Sequence, residues 1–373
     1  MAAMTPRPAR IHLVAAARPN FMKVGPLFHA LRAEAWAEPR LIHTGQHYDA
    51  SLSGVFFRDF DLPPPHRNLG VGSGSHAEQT GRVMMAYEAL LGEERPAVTV
   101  VVGDVNSTLA CSLAAAKLGV PVAHLEAGLR SFDRTMPEEI NRVVTDAVAD
   151  ILWTPSPDAD ANLAREGVDA GKVLRVGNIM IDTLERLRPR IDAVRPEQAF
   201  GLPRGGFGLV TLHRPSNVDD PERLAGICAA LTRLSARLPL LFPLHPRTRA
   251  RLEAFGLMER LSGLPSLVLA EPLPYIDFMG ALFASRFALT DSGGLQEETT
   301  YLGIPCLTLR PNTERPITVS EGTNRLVTPQ TLEEQAHAAL DRPLGKRAPE
   351  LWDGRTASRV VASLARFVAG NGV

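Results

Sequence analysis

Between the apolar run Phe287 to Leu289 and a helix-compatible segment stands Thr290-Asp291-Ser292-Gly293-Gly294-Leu295-Gln296-Glu297-Glu298. The pattern predicts a strand that enters a helix through a glycine turn. The first N–H groups of a helix lack partners within it and carry the positive end of its dipole. Two glycines at that point let an anion approach the backbone closely. Ser292 can cap the helix or bind the anion, and Glu298, about one turn in, can reach sugar hydroxyls. The chemistry on offer is a cradle for a diphosphate and a ribose. The same residues also suit an ordinary N-cap whose glycines serve turn geometry.

Other polar residues fall just after apolar runs. Arg18-Pro19-Asn20 follows the first, with Lys23 close behind. Gly103-Asp104, then His124-Leu125-Glu126-Ala127-Gly128-Leu129-Arg130, follow others, and Pro137-Glu138-Glu139-Ile140-Asn141-Arg142 opens a helical segment. In the second half, Thr211-Leu212-His213-Arg214 ends a run. Each has a plainer reading. Asp104 suits a helix cap, Glu126 an ion pair with Arg130, Glu138 and Glu139 a first helical turn that favours carboxylates, and His213 a structural role. Taken together, three carboxylates crowded in one cleft would raise one another's pKa and could hold or take a proton. Arg18, Arg214 and Arg315, with the glycine turn, could hold a diphosphate through forked donors. No cluster has zinc-ligand spacing. Gly70-Val71-Gly72-Ser73-Gly74 lacks the Lys of a Walker A loop.

Elements must place these residues. Apolar runs alternate with helix-period segments: Ile11 to Ala17, Arg40 to Thr44, Ala97 to Val102, Pro121 to Leu125, Ile151 to Thr154 and Val173 to Val176 read as strands. A second series reads from Phe207 to Leu212 through Leu240 to Leu244, Ser266 to Leu269, Phe287 to Thr290 and Pro305 to Leu309. Asp220 before Pro221 marks a helix start whose apolar face is Leu224, Ile227, Leu231, Leu234 and Leu238. Such alternation predicts α/β architecture with parallel sheets covered on both faces, and ligands at the carboxyl ends of the strands. The predicted domains are 1–178 with a returning helix at 356–373, and 179–355.

The chain has 373 residues, 45% hydrophobic and 22% charged, with a net charge of −1. That charge provides no global field for nucleic acid or an anionic membrane. Three separated cysteines, Cys111, Cys228 and Cys306, are expected as buried thiols in a reducing compartment. Without an apolar leader or a membrane-length run, a cytoplasmic soluble protein is the expectation.

Jointly the motifs resemble the non-hydrolysing UDP-N-acetylglucosamine 2-epimerases over nearly the whole length. The matching segments are Ala17-Arg18-Pro19 with Lys23, Gly45-Gln46-His47, Gly103-Asp104, Glu126 to Arg130, Pro137 to Arg142, Val176-Gly177-Asn178, His213-Arg214, Thr290 to Glu298 and Thr313-Glu314-Arg315-Pro316. The resemblance implies a GT-B-like fold of two Rossmann-type doubly wound domains facing a central cleft. It implies reversible inversion at C2 of UDP-GlcNAc to UDP-ManNAc, through elimination of UDP to 2-acetamidoglucal and its re-addition, with no added cofactor or metal. Asp104, Glu126 and Glu138 match acid–base carboxylates, and His213 a functional histidine. Arg18 and Lys23 match cleft-lining positions, Ser292, Gly293 and Gly294 the phosphate turn, Glu298 the ribose contact, Arg315 a UDP-side arginine and Phe278 the aromatic beside uracil. Gln46 and His47 match part of an allosteric UDP-GlcNAc site. Pro215-Ser216-Asn217 departs from the family's basic–acidic pair, and the short Ser131 to Met136 segment is also like relatives that act on UDP-2,3-diacetamido-glucuronic acid. A homodimer is implied by the resemblance alone.

Overall fold

The computed structural model describes residues 7–16, 18–45, 60–341, 345 and 348–370. The chain divides into two compact units, Met1–Arg186 with Glu350–Val373, and Leu187–Pro349. The division falls inside the helix Ile179–Ala193.

In the first unit, β1 (Ala9–Ala15), β2 (Ala37–His43), β3 (Arg67–Asn68), β4 (Val98–Val102), β5 (Val122–Leu125), β6 (Ile151–Thr154) and β7 (Val173–Arg175) form one parallel sheet in the order β3-β2-β1-β4-β5-β6-β7. Every residue of β4, β5 and β6 is buried. That is why these runs are apolar without alternation: helices cover both faces of the sheet. The strand order reverses at β1 and β4, the switch point at which doubly wound sheets open a crevice. Val102 pairs in register with Leu125. Gly103 and Glu126 therefore leave the sheet at one level.

The second unit repeats the plan. β8 (Gly208–Thr211), β9 (Leu240–Pro243), β10 (Leu267–Ala270), β11 (Phe287–Thr290), β12 (Cys306–Thr308) and β13 (Asn324–Leu326) are ordered β10-β9-β8-β11-β12-β13. Thr211 pairs with Thr290, so β8 and β11 also end level at their switch point. The helix Pro221–Ser235 starts where the sequence predicts: the Asp220 side chain accepts from the Arg223 N–H at 2.8 Å. Its Leu224, Ile227, Leu231 and Leu234 pack into a core with Val210, Phe242, Phe287 and Leu289, and Leu238 is partly buried against it.

β3 and β13 are not predicted from sequence. Each lies at a sheet edge, and their residues, Arg67-Asn68 and Asn324-Arg325-Leu326, form no apolar run of the kind that marked the other strands. The final helix, Thr356–Gly370, belongs to the first unit. Asp182 accepts from the N–H groups of Thr356 and Ala357 at 3.1 and 2.8 Å, capping it, and Trp153 donates to Ser363 Oγ at 3.0 Å. All three cysteines are buried and unpaired. No described helix is long and apolar enough to cross a membrane.

Candidate functional site

Glu126 is the first residue after β5, and its backbone is left-handed, with φ 73°. A non-glycine residue there costs roughly 1–3 kcal/mol and persists only where its surroundings hold it. Here the N–H groups of Glu126 and Ala127 both bond to the Trp153 carbonyl, at 3.1 and 3.0 Å, and Gly128 N–H donates to Asp146 Oδ2 at 3.0 Å. The twist turns the Glu126 carboxylate into the protein, where the residue is 5% exposed. Lys23 Nζ donates to its Oε2 at 2.5 Å. Oε1 is buried with no hydrogen-bond partner among the described residues. The turn after β4 closes over this pair. Gly103 has φ 65°, and a Cβ there would lie 3.0 Å from Lys23 Nζ.

Asp104 does not cap the following helix. Val105 holds the N-cap position of Asn106–Lys117, which has no side-chain cap. Instead Arg142 grips Asp104 Oδ2 through Nε at 3.0 Å and Nη2 at 2.6 Å. Glu126 does not pair with Arg130 either: Arg130 bonds Glu166 and Asp146. Asp104 and Glu126 thus each have a cation of their own, Arg142 and Lys23. Glu138 and Glu139 share the first turn of Pro137–Val148 but differ in setting. Glu139 is buried and accepts from Ser131 N, Ser131 Oγ and Phe132 N at 2.8–2.9 Å, and it pairs with Arg142 at 2.8 Å. Burial pushes its carboxyl up, but these donors hold it below the usual range. Glu138 is exposed.

In the second unit the two level strand ends come together through Asp291, which is fully buried. It accepts from the N–H groups of His213 and Arg214 at 3.1 and 3.0 Å and from Asn217 Nδ2 at 3.0 Å, and it pairs with His213 Nδ1 at 3.0 Å. Burial pushes the Asp291 carboxyl up, but the His213 bond and the other donors bring it below the usual range. The Arg214 side chain donates from Nε to the Asp291 carbonyl at 3.0 Å. The His213 ring is 39% exposed, and its centroid lies 5.6 Å from that of His245.

Ser292 takes the N-cap position of Gly293–Leu302, yet its side chain makes no cap bond. The ordinary-cap reading needs that bond. Without it, the Ser292 hydroxyl is not committed to the first helical N–H groups, which are the donors that suit an anion. A Cβ on Gly293 would meet Glu314 Oε1 at 2.7 Å and Arg315 Nη1 at 3.0 Å, whereas one on Gly294 meets nothing within 4 Å. Glycine at 293 thus lets Arg315 lie against the turn, held by Glu314 at 2.6 Å and Glu297 at 2.7 Å. Phe278 is half-buried in the helix Tyr275–Ala284.

Glu298 is buried and accepts from Tyr275 Oη at 2.7 Å. Burial pushes its carboxyl up to about 7, against the Tyr275 bond and with help from the Glu297 charge. The folded protein therefore holds this proton more tightly than the unfolded chain. The stability it contributes is complete below about pH 4.5 and is lost as pH rises through about 7. Urea unfolding at pH 5 and pH 8 should show the unsubstituted protein losing on the order of 2 kcal/mol relative to Glu298→Gln as pH rises. A difference that does not change with pH would refute the assignment.

Arg18 begins the helix Arg18–Arg32, and its side chain lies outside the described structure. Gln46 and His47 also lie outside the described residues. Sequence reasoning assigned no role to Arg142, Asp291 or Tyr275. Arg142 had a signal, standing three and four positions after Glu139 and Glu138 on one helix face. Asp291 had a weaker one, an acid at an apolar strand end. Tyr275 had none.

Comparison with known proteins adds four findings. The family model described as UDP-N-acetylglucosamine 2-epimerase matches residues 29–365. A UDP-N-acetylglucosamine 2-epimerase of Methanocaldococcus jannaschii is 42% identical over 85% of this chain and 88% of its own. The crystal structure of M. jannaschii UDP-GlcNAc 2-epimerase in complex with UDP-GlcNAc and UDP superposes with a TM-score of 0.87 at 38% identity, over 96% of this chain and 99% of that one. A UDP-2,3-diacetamido-2,3-dideoxy-D-glucuronate 2-epimerase of Pseudomonas aeruginosa is 39% identical over 96% of this chain and all of its own. The α/β architecture, two Rossmann-type units in one chain, is GT-B-like.

Proposed function

The chain belongs to the UDP-N-acetylglucosamine 2-epimerase family, and on that premise we propose that it inverts C2 of UDP-GlcNAc to give UDP-ManNAc. The observation that carries this reading is Glu126. A buried carboxylate with one oxygen on Lys23 and the other unpartnered, held in a costly backbone conformation, suits proton transfer at carbon.

The proposed reaction runs in two halves. A carboxylate takes the C2 proton as the C1–oxygen bond to UDP breaks, leaving 2-acetamidoglucal and UDP. A proton then reaches C2 from the other face and UDP returns to C1. Asp104, Glu126 and Glu138 share the proton transfers. Ser292, Gly293, Gly294, Arg214 and Arg315 hold the diphosphate, with Arg18 and Lys23 on the sugar side. Glu298 takes the ribose and Phe278 lies at the uracil. His213 meets the charge that builds on the departing diphosphate. Fixed donors of this kind suit a leaving group that must be retained until the bond reforms.

The full-length match to the P. aeruginosa enzyme favours a second substrate, the 2,3-diacetamido uronic acid analogue. Proton NMR in deuterated water, with each UDP-sugar in turn, tests both. Deuterium at C2 of UDP-GlcNAc together with UDP-ManNAc supports the first reading. Exchange in the uronic acid analogue alone supports the second. Exchange in neither refutes epimerisation.

A further inference from the structure

We propose that Asp291 is a positioning residue that acts through His213, setting which ring nitrogen faces the substrate. The inference rests on the reading of His213 given above. Every polar contact of the Asp291 side chain runs to the segment that carries His213: the His213 and Arg214 N–H groups, Asn217 Nδ2 and His213 Nδ1.

The tautomer follows from the chemistry of the pair. Asp291 is ionised and can only accept, so the His213 nitrogen 3.0 Å away must carry hydrogen. Nε2 is then the variable nitrogen. It makes no hydrogen bond among the described residues, on a ring that is 39% exposed. When Nε2 also carries hydrogen, it can donate to a departing diphosphate. Asp291 directly precedes Ser292-Gly293, the helix start read as the phosphate turn. One side chain therefore sets the histidine relative to the donors with which it would share the diphosphate.

A double-mutant cycle separates this from a role in folding. Asp291→Asn should lower kcat by on the order of 10²-fold in the unsubstituted background, and by less than about threefold when His213→Asn is already present. Losses that multiply in the double variant would overturn the inference while leaving the role of His213 intact. Undiminished turnover in His213→Asn alone would overturn the reading of His213, and this inference with it. Where Asp291→Asn does not fold, nitrogen-15 NMR of the unsubstituted chain decides, with the His213 signals assigned by their loss in His213→Asn. Hydrogen on Nδ1 is expected. A neutral ring that carries its hydrogen only on Nε2 would refute the proposal.

Discussion

Asp104→Asn, Glu126→Gln and Glu138→Gln are each expected to lower epimerase turnover by on the order of 10²-fold or more while UDP affinity is retained. Such a loss corresponds to about 2.7 kcal/mol of transition-state stabilisation. The three variants should differ in stability, because their settings differ. Glu138 is exposed in a first helical turn, so Glu138→Gln removes little beyond a favourable contact with the helix dipole, worth under about 1 kcal/mol. Glu126→Gln leaves the buried Lys23 ammonium without its counter-charge, which should cost stability as well as rate. Asp104→Asn weakens a two-pronged bond from Arg142, itself also tied to Glu139. Steady-state rates, UDP titration and thermal melts on the same preparations check all three. If Glu138→Gln turned over at the normal rate, its acid–base role would be lost. If UDP affinity fell in step with rate, the three would be structural.

Gly177→Ala is expected to destabilise the first unit by about 3 kcal/mol or more, with Gly167→Ala as its control. Both glycines are left-handed, at φ 91° and 77°. That conformation alone costs an alanine about 1–2 kcal/mol. At Gly167 a Cβ meets nothing within 4 Å, and the cost should stop there. At Gly177 it would stand 2.1 Å from the Leu351 carbonyl oxygen and 2.9 Å from its carbon. Those atoms are backbone and cannot rotate away, so the segment must move, which adds the cost of overpacking, about 1–3 kcal/mol. The segment concerned also holds the final helix. Arg359 Nη1 donates to the Val176 and Leu351 carbonyls at 2.9 and 3.2 Å. Urea unfolding gives the stability, and hydrogen exchange should show Thr356–Gly370 losing protection first in Gly177→Ala. Equal stability losses at the two positions would contradict the clash.

Much of this molecule was legible as sequence because its signals are local. Buried parallel strands declare themselves as unbroken apolar runs, and Ile151–Thr154 and Phe287–Thr290 were read to the residue. The Asp220 cap is set by neighbours a few positions away, whereas the glycine at 293 also makes room for Arg315. The edge strands β3 and β13 are not legible, since Arg67-Asn68 and Asn324-Arg325-Leu326 form no apolar run.

What sequence determined, then, was the order of elements and which polar residues stand at strand ends, for hydrophobic periodicity and turn chemistry act within one turn or one strand. Which carboxylate meets which cation was decided only in three dimensions. Glu126 took Lys23, 103 positions away, and Asp104 took Arg142, 38 positions away. Asp291 reached back to His213 because Thr211 and Thr290 lie in register. Strand register and a left-handed turn place these side chains. Neither leaves a mark on the spacing of residues along the chain, so charge pairing at the site belongs to the tertiary structure.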